Sequence, residues 1–247
     1  MGGGAMTVKE LYRAGKLNEA IQALNQELRN NPADLKQRTF LFELLCFAGE
    51  YDRAEKHLAV LSEGSAEAAT GALLYRAALM GERARNDLFE KKDYPTAPAL
   101  PVTGTLNGKP FEELEDADQR VGARLEIYAA GQLMWIPFEH LASVEMQPPK
   151  RLRDLLWAPT LVHTGPSFKG AELGEVLTPV LAPFSFRHAD DAVRLGRTTV
   201  WEEQADGQVA PFGQKMLLVD GEEIPILEVR RIEITAADSA LDEHATT

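Results

Sequence analysis

Cysteine is nearly absent, with Cys46 the single one in 247 residues. One thiol excludes a disulfide framework, cannot help build a zinc site, and points to a reducing compartment. Long hydrophobic runs are missing too: no stretch reaches the roughly 18 apolar residues that a bilayer span needs. The N-terminus lacks the apolar core of a secretory signal, and Met1-Gly-Gly-Gly-Ala5 reads as an expression scar with Met6 the expected native start. Positive charge is scarce in one half only. Residues 1–94 carry 13 Lys/Arg against 14 Asp/Glu (net −1) and residues 95–247 carry 13 against 24 (net −11), which together give the chain's −12. An acidic half repels phosphate backbones, so nucleic acid is excluded as a partner, and no membrane partner is expected. The expectation is a soluble cytoplasmic protein.

Catalytic patterns are equally thin. The five histidines (His57, His140, His163, His188, His244) show no ligand spacing, and there is neither a phosphate-cradling glycine loop nor a Gly-x-Ser-x-Gly elbow. Asp116 and Asp118 have the first spacing of a calcium loop, but Arg120 takes the next ligand place and no glycine follows. The acidic run Glu112 to Asp118 therefore reads as a solvated loop or strand edge. Cys46 lies on an apolar helical face and reads as an inert core thiol. No catalytic, cofactor or metal residue is assigned.

What is present is a repeat. Leu11-Tyr12-Arg13-Ala14-Gly15 to Ala20 lines up with Leu45-Cys46-Phe47-Ala48-Gly49 to Ala54 at an offset of 34, and Leu24 finds Leu58. That period belongs to tetratricopeptide-type helix pairs, whose stacked helices form grooves for other polypeptides. The first helix is expected over Val8–Arg13, the second from an Asn18 cap to Asn30-Asn31-Pro32, and the third from an Asp34 cap. The fourth is expected from an Asp52 cap. Arg83 replaces the next glycine, so residues 65–92 read as one long helix with Leu73, Leu74, Ala77, Ala78 and Leu88 inward. Two repeats and a long helix leave an apolar end, which the C-terminal half is expected to seal.

Tyr94 to Pro101 is a proline-rich connector. Beyond it Arg124–Tyr128 and Leu133–Ile136 read as a β-hairpin, Leu152–Trp157 and Asp190–Leu195 as short helices, and Thr160–His163, Gly174–Thr178, Thr198–Trp201, Lys215–Val219 and Glu223–Leu227 as strands. Asp220-Gly221 marks a tight turn. The expected fold class is α+β: a tetratricopeptide-like helical repeat domain (6–93), a linker (94–104), an α+β domain with a mainly antiparallel sheet (105–235), and a frayed tail (236–247).

Several segments carry a family resemblance. Gly104-Thr-Leu-Asn107-Gly108-Lys-Pro-Phe111 is followed by Asp116-Ala-Asp118-Gln-Arg120-Val-Gly122 and Leu125-Glu126. Then come Trp135-Ile-Pro137-Phe138, Arg153-Asp154-Leu-Leu-Trp157-Ala-Pro159 and Arg194-Leu-Gly-Arg197-Thr-Thr-Val-Trp201. This ordered series, spread over the chain from Met6, resembles the ImpE/SciE family, also called TagJ, an accessory family of bacterial type VI secretion. Phe184-Ser-Phe186 stands where a tyrosine-bearing segment is usual, and Gly213-Gln-Lys215 where Gly-Gln-Arg is usual. The resemblance implies a non-enzymatic adaptor that binds the N-terminal helix of the small contractile-sheath subunit and associates with the AAA+ ATPase that recycles contracted sheath.

The charged residues of the series supply opposite charges for internal pairs, with arginine forks bridging carboxylates. Two surfaces compete for a partner helix. One is the concave face of the repeats, with Tyr12, Phe40, Phe47 and Tyr51; the other is the junction of the two halves, with Trp135, Phe138 and Trp157. The alternatives are a metal-dependent hydrolase using Asp116, Asp118 or Glu126, and a dimerising scaffold without a peptide ligand.

Overall fold

The computed structural model describes residues 6–235, so the expected scar and tail lie outside the described residues. Helices α1 (Val8–Arg13), α2 (Leu17–Asn30), α3 (Leu35–Phe47), α4 (Tyr51–Ser62) and α5 (Ala66–Lys91) form the first half. Thr7 and Glu10 close a capping box on α1, and the Asp34 carboxylate caps α3 through the amides of Lys36 and Gln37 at 3.0 Å each. The expected caps Asn18 and Asp52 are instead inside their helices. Gly15 and Gly49 turn the chain in the left-handed region (φ 76° and 71°), and the helices restart two residues later, ahead of either cap. The free amide of Leu17 is capped from far away, by Asp191 Oδ2 at 2.8 Å.

The matched Ala20 and Ala54 are fully buried, as close helix packing requires. The long helix differs from expectation in its inward face. Ala78 is buried as expected, but Leu73 and Leu74 are 63% and 49% exposed, and Ala72, Leu79, Gly81, Arg85 and Phe89 are buried. Small residues, Ala78 and Gly81, stand on that face where the helix lies directly on the sheet. A Cβ on Gly81 would come within 2.6 Å of the Tyr128 ring.

The second half holds β1 (Gly104–Leu106), β2 (Lys109–Phe111), β3 (Leu114–Asp116), β4 (Arg124–Ala129), β5 (Gln132–Pro137), β6 (Leu141–Met146), β7 (Trp157–Thr164) and β8 (Gly174–Pro179). After the short α6 (Asp191–Arg194) come β9 (Val200–Glu203), β10 (Val209–Phe212), β11 (Met216–Val219), β12 (Glu222–Pro225) and β13 (Arg231–Ile234). Eight strands make one antiparallel sheet in the order β2-β1-β13-β6-β7-β8-β4-β5; β12-β11-β3 and β10-β9 form smaller ones. The β4–β5 hairpin turns at Ala130-Gly131 and the β11–β12 hairpin at Asp220-Gly221, all four at positive φ. Residues 152–155 make only a single 3₁₀ turn, and Trp157 opens β7 rather than closing a helix. The chain is thus α+β, helical hairpins first and antiparallel sheet after.

The helical core is not closed by helices alone. Tyr128, Leu156, Trp157, Leu177 and Leu195 from the second half belong to the same buried cluster as Leu24, Leu41 and Leu79. Beside this seam lies a buried charge network. Arg85 donates to both oxygens of Glu126 (Nε–Oε1 3.1 Å, Nη2–Oε2 2.7 Å) and to the Leu181 carbonyl at 2.9 Å. Lys215 bridges Glu126 to Asp116, the latter at 2.6 Å, and the Trp135 indole donates to Glu126 at 2.9 Å. Two cations face two carboxylates, so the buried set is neutral.

Burial alone would raise the Glu126 carboxyl, but Arg85 and Lys215 reverse this and hold it well below the usual carboxylate range. Its contribution to stability is therefore complete above the unfolded-state value and is lost only as pH falls toward the folded one. Replacing Glu126 by Leu strands the buried Arg85, while Lys215 keeps Asp116, and is expected to cost about 3–5 kcal/mol in urea unfolding. Replacing Arg85 by Met at the same time, which removes that stranded cation and leaves the Lys215–Asp116 pair, is expected to recover part of that loss.

Candidate functional site

The residues proposed as partner anchors fall into very different places. Phe47, Phe138 and Trp157 are at most 1% exposed. They cannot anchor a partner while the chain is folded, because Phe138 fills the sheet core and Trp157 closes the helical core, donating its indole N–H to Glu82 at 3.1 Å. Trp135 is half-buried, edge-on to Phe89 and tied to Glu126, so it is part of the seam. Tyr51 is covered by Phe186, with ring centroids 5.9 Å apart. The same Phe186 ring would lie 2.3 Å from a Cβ on Gly49, so the Phe184-Ser-Phe186 segment clamps the α3–α4 turn. The junction surface is closed.

Phe40 and Tyr12 remain open. Their rings meet edge-on at 5.8 Å and together line a groove of about 550 Å³ between α1 and α3. Leu152, from the 3₁₀ turn before β7, joins them from the other half. The rim carries Lys9, Arg13 and Lys36, all exposed and without a carboxylate in ion-pair range among the described residues. Glu43 also lines the groove although only 7% exposed. Its nearest cation is Arg153 Nη1, at 3.8 Å, too long for a hydrogen bond. Burial pushes the Glu43 carboxyl up to about 7, with Arg153 opposing the rise. The sequence carries a signal for this residue: it is the one charge inside the run Phe40-Leu-Phe-Glu-Leu-Leu-Cys-Phe47.

The walls are placed by the charged residues of the second half. Arg197 donates to the carbonyls of Arg13 (2.9 Å) and Tyr12 (2.5 Å) at the end of α1 and stacks on the Tyr12 ring at 4.9 Å. Arg194 bonds Asp191 (2.7 Å) and Asn18 (3.2 Å) at the start of α2. Arg153 stacks 4.6 Å over Tyr75 of α5. The acidic run, expected as a solvated loop or strand edge, contains the edge strand β3, but its two ends differ in exposure. Glu112 and Glu113 are exposed, but Asp116 and Asp118 are 3% exposed, the first paired with Lys215 and the second forked by Arg120 at 2.8 and 2.7 Å. The three carboxylates of the hydrolase alternative, Asp116, Asp118 and Glu126, are each tied to a cation of the chain itself. Burial pushes the Cys46 thiol well up, which suits a core residue.

A second, wider cleft of about 910 Å³ lies between Tyr94–Thr96, the β9–β10 hairpin and β11–β12, with Trp201 36% exposed in it. Among the described residues no helix is long and apolar enough to cross a membrane.

Stacked helical hairpins sealed by an antiparallel sheet, with an aromatic groove flanked by residues of both halves, define a protein of α+β class. Residues 108–233 match the model of the ImpE protein family. The type VI secretion system accessory component TagJ of Pseudomonas aeruginosa is 30% identical, over 95% of this chain and 93% of that protein. The chain belongs to the ImpE family. Its fold is shared by the crystal structure of protein VPA1032 from Vibrio parahaemolyticus, with a TM-score of 0.79 and 22% identity over 92% of this chain and 97% of that one.

A raised folded-state value means that the stability associated with Glu43 is fully present below its ordinary 4.5 and is lost as pH rises through about 7. Glu43→Gln is therefore expected to stabilise the protein at pH 8 by about 1–3 kcal/mol and to leave it unchanged near pH 4. Thermal melts of both proteins across that range check the direction.

Proposed function

We propose that this chain is a non-enzymatic adaptor of the bacterial type VI secretion system. It holds the N-terminal helix of the small contractile-sheath subunit and links it to the AAA+ ATPase that recycles sheath. The observation that carries the reading is the groove between α1 and α3. It leaves two aromatic rings and a leucine partly exposed in one groove, the apolar surface that an amphipathic helix laid in by its apolar face would need. Membership of the ImpE family and the likeness to an accessory component support the setting. The hydrolase alternative draws no support from Asp116, Asp118 or Glu126, whose charges are already matched inside the fold.

The test is calorimetric titration with the sheath subunit's N-terminal peptide. Binding at micromolar affinity or tighter is expected, and Phe40→Ala is expected to weaken it by about 2–4 kcal/mol. Trp201→Ala, in the second cleft, should leave it unchanged. Absence of binding removes the reading, and loss of binding in Trp201→Ala but not in Phe40→Ala moves the ligand to the other cleft.

A further inference from the structure

Glu43 raises a problem that the aromatic groove does not solve. Its side chain is 10% exposed and makes no well-formed hydrogen bond among the described residues; the guanidinium of Arg153 stands at 3.8 Å, and the backbone amide of the same residue is a weak donor beside it. Other charges along the groove are used elsewhere or point outward. Asp34 is spent on the amides that start α3, Asp154 accepts from the amides of Lys150 and Arg151, and Lys9, Arg13 and Lys36 lie exposed on the rim. While the groove is open, solvent can satisfy the carboxylate. A helix that fills the groove removes that solvent and brings nothing in return if its buried face is wholly apolar. A buried acceptor left without a donor costs its full desolvation, and a charged one more.

We propose that Glu43 is the specificity-determining residue of this groove: it accepts a hydrogen bond from a side-chain N–H donor (Lys, Arg, Asn or Gln) on the apolar face of the docked helix, and so rejects helices that lack one. This rests on the adaptor reading above. The chemistry on the page suits it. Tyr12 and Phe40 beside the carboxylate present aromatic surface to the stem of such a side chain, and a long stem packs on apolar walls while its head reaches the charge. The penalty for a missing donor, rather than the attraction of a present one, sets the discrimination.

The test is a double-mutant cycle by calorimetry with the sheath subunit's N-terminal peptide. Each Lys, Arg, Asn and Gln of the peptide is replaced in turn by Met and titrated against wild type, Glu43→Leu and Glu43→Gln. One peptide position is expected to lose at least tenfold in affinity for wild type and less than threefold for Glu43→Leu, with Glu43→Gln, which keeps the side chain's shape, in between. Circular dichroism melts confirm that both variants are folded; should the leucine variant not fold, the glutamine variant alone must reduce the coupling. If no position couples to residue 43 while Phe40→Ala still abolishes binding, the inference falls and the adaptor reading stands. If the peptide binds neither wild type nor any variant, both fall.

Discussion

A neutral set of four buried charges, Arg85, Glu126, Lys215 and Asp116, fixes how the helical half meets the sheet. Buried ion pairs contribute little net stability on their own, because desolvation offsets most of the attraction. Their value here lies in geometry. Arg85 comes from α5, Glu126 from β4, Asp116 from β3 and Lys215 from the residue before β11, so a slip of the helix by one turn would strand charges in the core. Apolar contact through Gly81 and Tyr128 brings helix and sheet together, and the charges select one register.

That register reaches the groove, which has walls from one half and a floor element from the other. A helix of six residues such as α1 has little stability of its own, since nucleation is costly and most of its backbone groups are terminal. The Thr7–Glu10 capping box secures its start, and Arg197 takes the carbonyls at its end. Asp191 and Arg194 do the same for the start of α2. Arginines of the second half therefore position the very side chains, Tyr12 above all, that face solvent in the groove. Pre-organisation of this kind reduces the ordering cost of binding.

Much of the helical half was legible because glycine marks its turns: Gly15 and Gly49 recur at the repeat spacing and adopt the left-handed conformation that only a tight restart needs. Asn18 and Asp52 misled as caps since capping preference is a local rule, whereas Leu17 finds its cap 174 residues away. Leu73 and Leu74 misled for a similar reason. Helical periodicity names a face, but contact with Tyr128 selects the face with the small residues. Internal pairing of the signature charges could be anticipated from their signs, but not the network around Glu126, whose partners lie 41 and 89 residues away. Of the proposed anchors, Phe40 and Tyr12 kept an open face, while Phe47, Phe138 and Trp157 did what large aromatics do most often and filled the core.

The same reasoning explains why one acid in an apolar helix carried more information than the aromatics around it. An exposed or buried phenylalanine is explained equally well by packing, so its identity says little about a ligand. A nearly buried carboxylate has no such neutral explanation unless a partner satisfies it. Asp116, Asp118 and Glu126 each have that partner within the chain, at 2.8 Å or less. Glu43 has a guanidinium beyond hydrogen-bond distance and a weakly placed backbone amide, both of Arg153, in an open groove of the repeats. On the proposed reading, its unfinished coordination, and not the hydrophobic content of the groove, is what would make this surface selective for a particular helix.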